Sequence, residues 1–257
     1  MTFALRNPGW IRSECQIRST SMMKILAAGF ALAVTASSVQ AAAIRVAPVL
    51  IDLTEPARTA VVTLRNEGAA AVTVQARILR WRQVGGADQF DSTTGVVASP
   101  PIATIPAGGE NVIRIVRTAK EPVVGEESYR LMIDQLPDPK DRKPGTVNLL
   151  IRHSIPVFFS AIATTAPQLQ WSVDRNGAQL TVVANNLGGS RVRISNFGLK
   201  ARSGRQLVKA DGLVGYVLAG SSARWRFPSP SGSYSGAVDI IAHSEAGLIN
   251  AQATISR

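Results

Sequence analysis

The amino-acid sequence predicts an all-β chain built as two sandwiches in tandem. Short segments of alternating apolar and polar residues recur along it, the two-residue period of half-buried strands. Gly, Pro and Asn separate the segments, and no stretch beyond residue 41 joins helix caps to a helical period. At SAIATTAPQ (160–168) the composition turns small and Thr-rich, which divides the pattern in two.

The elements follow in order. IRVAPVLIDL (44–53) and TAVVTLRNEG (59–68) alternate as strands, and Asn66-Glu67-Gly68 has the residues of a tight, hairpin-like reversal. In AVTVQARILRWRQV (71–84), Val72, Val74, Ala76 and Ile78 share a face against Thr73, Gln75 and Arg77, and GGAD (85–88) closes the strand. SPPIATIPAGGENVIRIV (99–116) supplies an irregular edge, a turn at Ala107-Gly108-Gly109 and another strand. SYRLMIDQLP (128–137), a polar loop (137–145) and TVNLLIRHSIPVFF (146–159) complete the first half. Seven strands at this spacing suggest an immunoglobulin-like sandwich. After the linker, LQWSVD, AQLTVVANN, SRVRISNFGL, GLVGYVLAG, SARWRF, SGAVDIIAHS and AQATISR form a second strand-rich set. The expected domains are therefore 42–160 and 169–257, joined by 161–168.

Residues 22–41, MMKILAAGFALAVTASSVQA, have the layout of a secretory signal: a charged start, a short apolar core and small residues at a cut near Ala41. The apolar run is shorter than the ~20 residues of a membrane span. Residues 1–21 are either a long basic leader or precede the true start, with Met1, Met22 and Met23 as candidates. Removing 1–41 leaves 216 residues without cysteine, since Cys15 lies in the leader, so an exported chain must rely on core burial rather than disulfides. The remaining 24 basic and 16 acidic residues give a net charge of +8. The basic residues (Arg77, Arg80, Arg82, Arg114, Arg117) are scattered with little aromatic interleaving, which reads as solvated strand faces and argues against nucleic acid.

Catalytic chemistry is thin. His153 and His243 fall one per domain, with no paired His or Cys spacing for a metal. No Gly-x-Ser-x-Gly, phosphate loop or dinucleotide fingerprint is present. Glu126 and Glu127 are adjacent, so a strand would point them to opposite faces. No enzyme, cofactor or metal is expected.

The informative stretch is 146–159. Val147, Leu149, Ile151, His153, Ile155 and Val157 alternate onto one face, against Asn148, Leu150, Arg152, Ser154, Pro156 and Phe158. Proline cannot donate to a ladder, so Pro156 points to an edge or a bulge. An apolar row on an edge invites foreign strands to pair. Ile155, Val157 and Phe159 read as facing the domain's own core; Val147, Leu149 and Ile151 adjoin the polar loop and read as surplus.

VAPVLIDL, TLRNEG, SPPIATIPAGGENVIRI, YRLMIDQLP and IPVFF resemble, in order and spacing, the first domain of the periplasmic chaperones of the chaperone–usher pilus pathway. YVLAGSSARW (216–225) resembles a second-domain motif of their archaic, spore-coat-protein-U-associated branch. The resemblance implies two immunoglobulin-like domains set in an L and a chaperone that caps pilin-like subunits with its seventh strand before handing them to an outer-membrane usher. It implies a donor strand at Val147, Leu149 and Ile151, continued by His153 and Ile155. The two cations with which many members anchor the subunit carboxylate fall at Leu50 and Pro156, so that anchor is lost here; Arg152, Arg130 and Arg45 are the candidate replacements. The acidic interdomain contact of the family falls to Glu126 or Glu127, and its arginine partner to Ser160. Pairing of free chaperone with a second copy through the same edge stays open. The competing readings are a secreted structural or adhesive surface protein, and a sugar-binding module needing clustered exposed aromatics, for which Trp81, Trp171, Trp225 and Tyr216 look too dispersed.

Overall fold

The computed structural model describes residues 44–138, 149–232 and 234–256, and every regular element among them is a strand. The leader call, including cleavage near Ala41, lies outside the described residues. The first set is β1 (Ile44–Ala47), β2 (Ile51–Thr54), β3 (Thr59–Asn66), β4 (Val72–Val84) and β5 (Ala87–Ser92), followed by β6 (Val96–Ser99), β7 (Ile102–Ile105), β8 (Glu110–Arg117), β9 (Glu126–Gln135) and β10 (Arg152–Ser160). They form one sheet in the order β1-β3-β8-β6 and another in the order β2-β10-β9-β4-β5, with β7 also on β4. The inner faces meet in a core that includes Val62, Leu64, Ile113, Leu131, Ile133 and Phe159.

Three expectations need correction here. The stretch 44–53 is two strands, not one: β1 pairs with β3, whereas β2 runs parallel to β10 in the opposite sheet, with Pro48 in the crossing where no backbone donor is available. Asn66-Glu67-Gly68 does not close a hairpin, because β3 and β4 lie in different sheets. Asn66 is instead fully buried, donating to Ala70 O (2.7 Å) and Ile105 O (3.1 Å) and accepting from Gly68 N–H (2.9 Å). Finally, β5 and β6 were not legible as strands; the polar ADQFDS of β5 has no apolar alternation because it pairs along the exposed end of β4.

The second set is β11 (Leu169–Asn176), β12 (Gln179–Asn186), β13 (Val192–Ala201), β14 (Gln206–Val217), β15 (Ser222–Pro228), β16 (Gly236–Ser244) and β17 (Gly247–Ser256). Their path is β14-β13-β16-β17-β11-β12-β15, with a short parallel contact of β11 and β17 at Val173 and Asp174. Its two ends approach: a Cβ on Gly215 of β14 would lie 3.0 Å from Trp225 Nε1 of β15, a tight contact that glycine avoids. Val173, Leu180, Ile194, Phe197 and Ile240 fill the interior. Asn186 repeats the device of Asn66, donating to Ser190 O (2.7 Å) and Leu218 O (3.2 Å) while accepting from Gly188 N–H (3.0 Å).

Trp81, Phe158, Tyr216 and Leu218, with Leu50 against them, form a third buried cluster with members from both sandwiches. The tryptophans are thus not dispersed. Trp81 packs edge-on to Tyr216 (5.5 Å between ring centres), and Trp171 stacks on Trp225 (6.3 Å), both inside apolar clusters.

Candidate functional site

β10 is covered on one side and only half covered on the other. Against β9 it pairs throughout, from Arg152↔Asp134 to Ser160↔Glu126. Against β2 it pairs only from Val157 to Ser160. The hydrogen-bond phase follows from two bonds. Gln135 N–H donates to Ile151 O at 3.1 Å, so odd residues aim their backbone groups at β9. Glu55 N–H donates to Ser160 O at 3.0 Å, so even residues aim theirs the other way. The backbone groups of Arg152 and Ser154 therefore face an edge with which no described strand pairs. Pro156, which has no N–H to offer, stands where that open stretch ends and β2 begins.

The odd side chains divide at His153. Ile155, Val157 and Phe159 are sealed in the first core. Ile155 is thus corrected from the donor row to the domain's own interior, because it sits opposite Leu131 where both sheets overlie it. Beyond that core the same alternation reaches Ile151, 37% exposed, and Leu149, 79% exposed. Val147 lies outside the described residues. His153 is half-buried, and its Nε2 is enclosed without a hydrogen-bond partner.

Of the even side chains, Phe158 meets the second sandwich. Phe158 and Leu50 enter the shared aromatic cluster, so the two lost-cation positions, Leu50 and Pro156, are an apolar contact and a buried proline. The three candidate cations differ sharply. Arg45, on β1 in the other sheet, is exposed and pairs with Glu67 at 3.4 Å. Arg152 is bound by Asp134, whose second oxygen takes Arg77 at 2.6 Å. Burial pushes the Asp134 carboxyl up, but the two arginines outweigh it and hold it below its ordinary value. Arg130, the register partner of Pro156, has no carboxylate partner among the described residues. Its guanidinium lies 3.9 Å over the Trp81 ring and 5.6 Å from that of Tyr216, with Nε enclosed and unbonded. Burial lowers its pKa, with Tyr216 and Asp88 opposing.

Glu126 and Glu127 point to opposite sides, as a strand requires. Glu127 takes both ends of the buried Arg117 fork, at 2.8 and 2.9 Å. Glu126 receives Arg191 of the second sandwich at 2.5 Å, and Arg191 also reaches Asp52 at 2.6 Å while lying 3.6 Å over Phe158. Burial holds the Glu126 carboxyl above its ordinary range against the pull of Arg191. Burial works against the Arg191 charge too, but Asp52 and Glu126 together outweigh it. Arg191 was missed in the sequence. The signal for it was indirect: Ser160, at the family's arginine position, left Glu126 without a cation. Ser160 now only adds a hydroxyl donor to Glu126 at 3.4 Å.

No three His, Cys, Asp or Glu side chains among the described residues are grouped to hold a metal. Leu149 and Ile151 thus form an exposed apolar row beside an edge with which no described strand pairs, and Arg130 lies across from Pro156 without a carboxylate partner among the described residues. Residues 43–161 match the family model described as pili and flagellar-assembly chaperone, PapD N-terminal domain. Residues 43–161, the whole first sandwich, thus belong to the N-terminal domain of the PapD-like pilus chaperones. Its fold is also that of a chain in the CsuC–CsuE chaperone–tip adhesin pre-assembly complex from archaic Csu pili of Acinetobacter baumannii (24% identity, TM-score 0.65, covering 84% of this chain and 100% of that one). The E. coli chaperone DraB matches at 18% identity and TM-score 0.54, over 82% of this chain and 97% of that one. A chain of the Salmonella enterica SafA pilin–SafB chaperone complex matches at 16% and 0.54, over 81% and 95%. No curated protein matches this chain in sequence. PapD-like chaperones are assembly factors without catalysis, which accords with the absence of a catalytic constellation from the sequence.

Proposed function

We propose that this PapD-like chaperone works in the periplasm, where it captures pilin-like subunits by lending them the open half of β10 and keeps them from polymerising until an outer-membrane usher takes them. The observation that carries this reading is the continuation of the core-facing row past the core. Leu149 and Ile151 stay exposed beside an edge free as far as Pro156. Burying such side chains in a partner's groove contributes about 1.5–3 kcal/mol each, and the free edge adds register through backbone hydrogen bonds. The similarity to a chain from a chaperone–tip adhesin complex of archaic pili supports a subunit as the partner.

Arg130 is the anchor we favour for the subunit's terminal carboxylate. Arg45 and Arg152 are already paired, whereas Arg130 is an unpaired, largely desolvated guanidinium across from the proline that ends the open edge. A carboxylate arriving there would gain a charge-assisted hydrogen bond in a dry setting. The test is periplasmic co-expression with pilin-like subunits followed by pull-down. Leu149→Glu is expected to leave the chaperone folded and exported but to abolish subunit retention. Retention at the wild-type yield would rule out donation through this face.

A further inference from the structure

One exposed carboxylate acts on Arg130 without neutralising it. Asp88, at the start of β5, is among the charges that act on Arg130, yet the two make no ion pair. Asp88 is engaged elsewhere: the Gln83 side chain donates Nε2–H to Asp88 Oδ1 at 3.0 Å. The same amide nitrogen donates to Tyr216 O at 2.8 Å, and its Oε1 accepts from Leu218 N–H at 2.9 Å. Gln83 thus uses its whole amide, two donors and one acceptor, on one carboxylate of its own hairpin and on the backbone of the second sandwich. Tyr216 in turn presents its ring to Arg130. A cavity of about 300 Å³ lies alongside, lined by Gln83, Asp88, Tyr216 and Trp225 among others, so an unheld Asp88 has room to move.

We infer that Gln83 is a positioning residue: it ties Asp88 to the second sandwich, so that Asp88 does not occupy Arg130 and the guanidinium stays available to the subunit's carboxylate. The physical ground is the attraction between opposite charges, which strengthens where one of them, here Arg130, is partly withdrawn from water. A desolvated cation with a mobile carboxylate nearby collects it, and an incoming carboxylate must then displace an internal rival. The inference rests on the reading of Arg130 as the anchor.

The experiment measures how long the pilin-like subunit retained by the wild-type chain stays bound to purified variants. Arg130→Gln and Gln83→Ala are each expected to shorten that lifetime about tenfold, the scale of one lost charge-assisted contact. Asp88→Asn alone leaves it close to wild type. Adding Asp88→Asn to Gln83→Ala restores it to within about threefold of wild type, and Gln83→Ala adds little to Arg130→Gln because coupled residues are not additive. A merely structural Gln83 gives no rescue by Asp88→Asn. Should Gln83→Ala fail to fold, Gln83→Met keeps the side-chain volume without a donor for Asp88 or a new charge and carries the same expectation of rescue. If Arg130→Gln holds the subunit as long as wild type, the anchor reading fails. If Arg130→Gln is weak but Gln83→Ala is not, or if Asp88→Asn does not rescue, only the role of Gln83 is overturned.

Discussion

Arg117 and Glu127 illustrate how single residues of this chaperone are committed to structure rather than chemistry. The Arg117 side chain is buried, its fork closed on Glu127 and its remaining donors on Ala119 O (3.1 Å) and Glu121 O (2.8 Å). Burial pushes the Glu127 carboxyl up, but hydrogen bonds from Arg117 and Tyr129 outweigh it, so its pKa falls below the ordinary value. A carboxylate depressed in the folded state stabilises fully above its unfolded pKa, near 4.3, and loses that contribution as pH falls through the folded value. Wild type should therefore lose stability faster than Glu127→Gln as urea titrations are carried below about pH 4; identical pH slopes would contradict this. The two capping asparagines give a second prediction. Asn66→Ala and Asn186→Ala each strand buried backbone carbonyls, so each should cost on the order of 1–3 kcal/mol in denaturant unfolding. A loss within error would mean that the carbonyls find other donors. The opposite orientation of Glu126 and Glu127 was legible in the sequence because it needs only the strand period. The partners were not legible: Arg191 lies 65 residues from Glu126, and nothing local encodes that meeting.

At the scale of the element, the alternating row that runs from Leu149 through β10 divides at His153. Towards its end Ile155, Val157 and Phe159 hold the first sandwich together. Ahead of the start of β10, Ile151 and Leu149 continue the same face into solvent. Substitutions should separate the two. Ile155→Glu places a charge in a sealed core and should prevent folding, whereas Leu149→Glu should leave the melting temperature nearly unchanged. Thermal unfolding of the two variants checks this, and comparable destabilisation by both would remove the division. The alternation of residues 149–159 and the edge-seeking Pro156 were readable from sequence, since both are local. The place where the core stops was not, because it depends on how far β2 accompanies β10. The first strand misled for a related reason: its apolar alternation continues unbroken across a change of sheet.

Across the whole molecule, the two sandwiches are joined around the Trp81–Phe158–Tyr216 cluster. Arg191 bridges Asp52 and Glu126 on one side, and Gln83 grips the Tyr216–Leu218 backbone on the other. Phe158 belongs to β10, so the strand proposed to meet the subunit also carries the junction. Removing Arg191 leaves Glu126 buried without its cation, which costs about 3–5 kcal/mol for a pair of this kind. Arg191→Ala should accordingly split a single calorimetric transition into two, one per sandwich; a single transition at the wild-type temperature would show that the pair contributes nothing. The central claim, that the open half of β10 is there to be completed by another chain, is tested most directly by amide hydrogen exchange. The amides of Arg152 and Ser154 face the unpaired edge in the free chaperone. On binding a pilin-like subunit they should become strongly protected, while the amides of Val157 to Phe159 change little. Unaltered exchange at Arg152 and Ser154 in a stable complex would contradict the account.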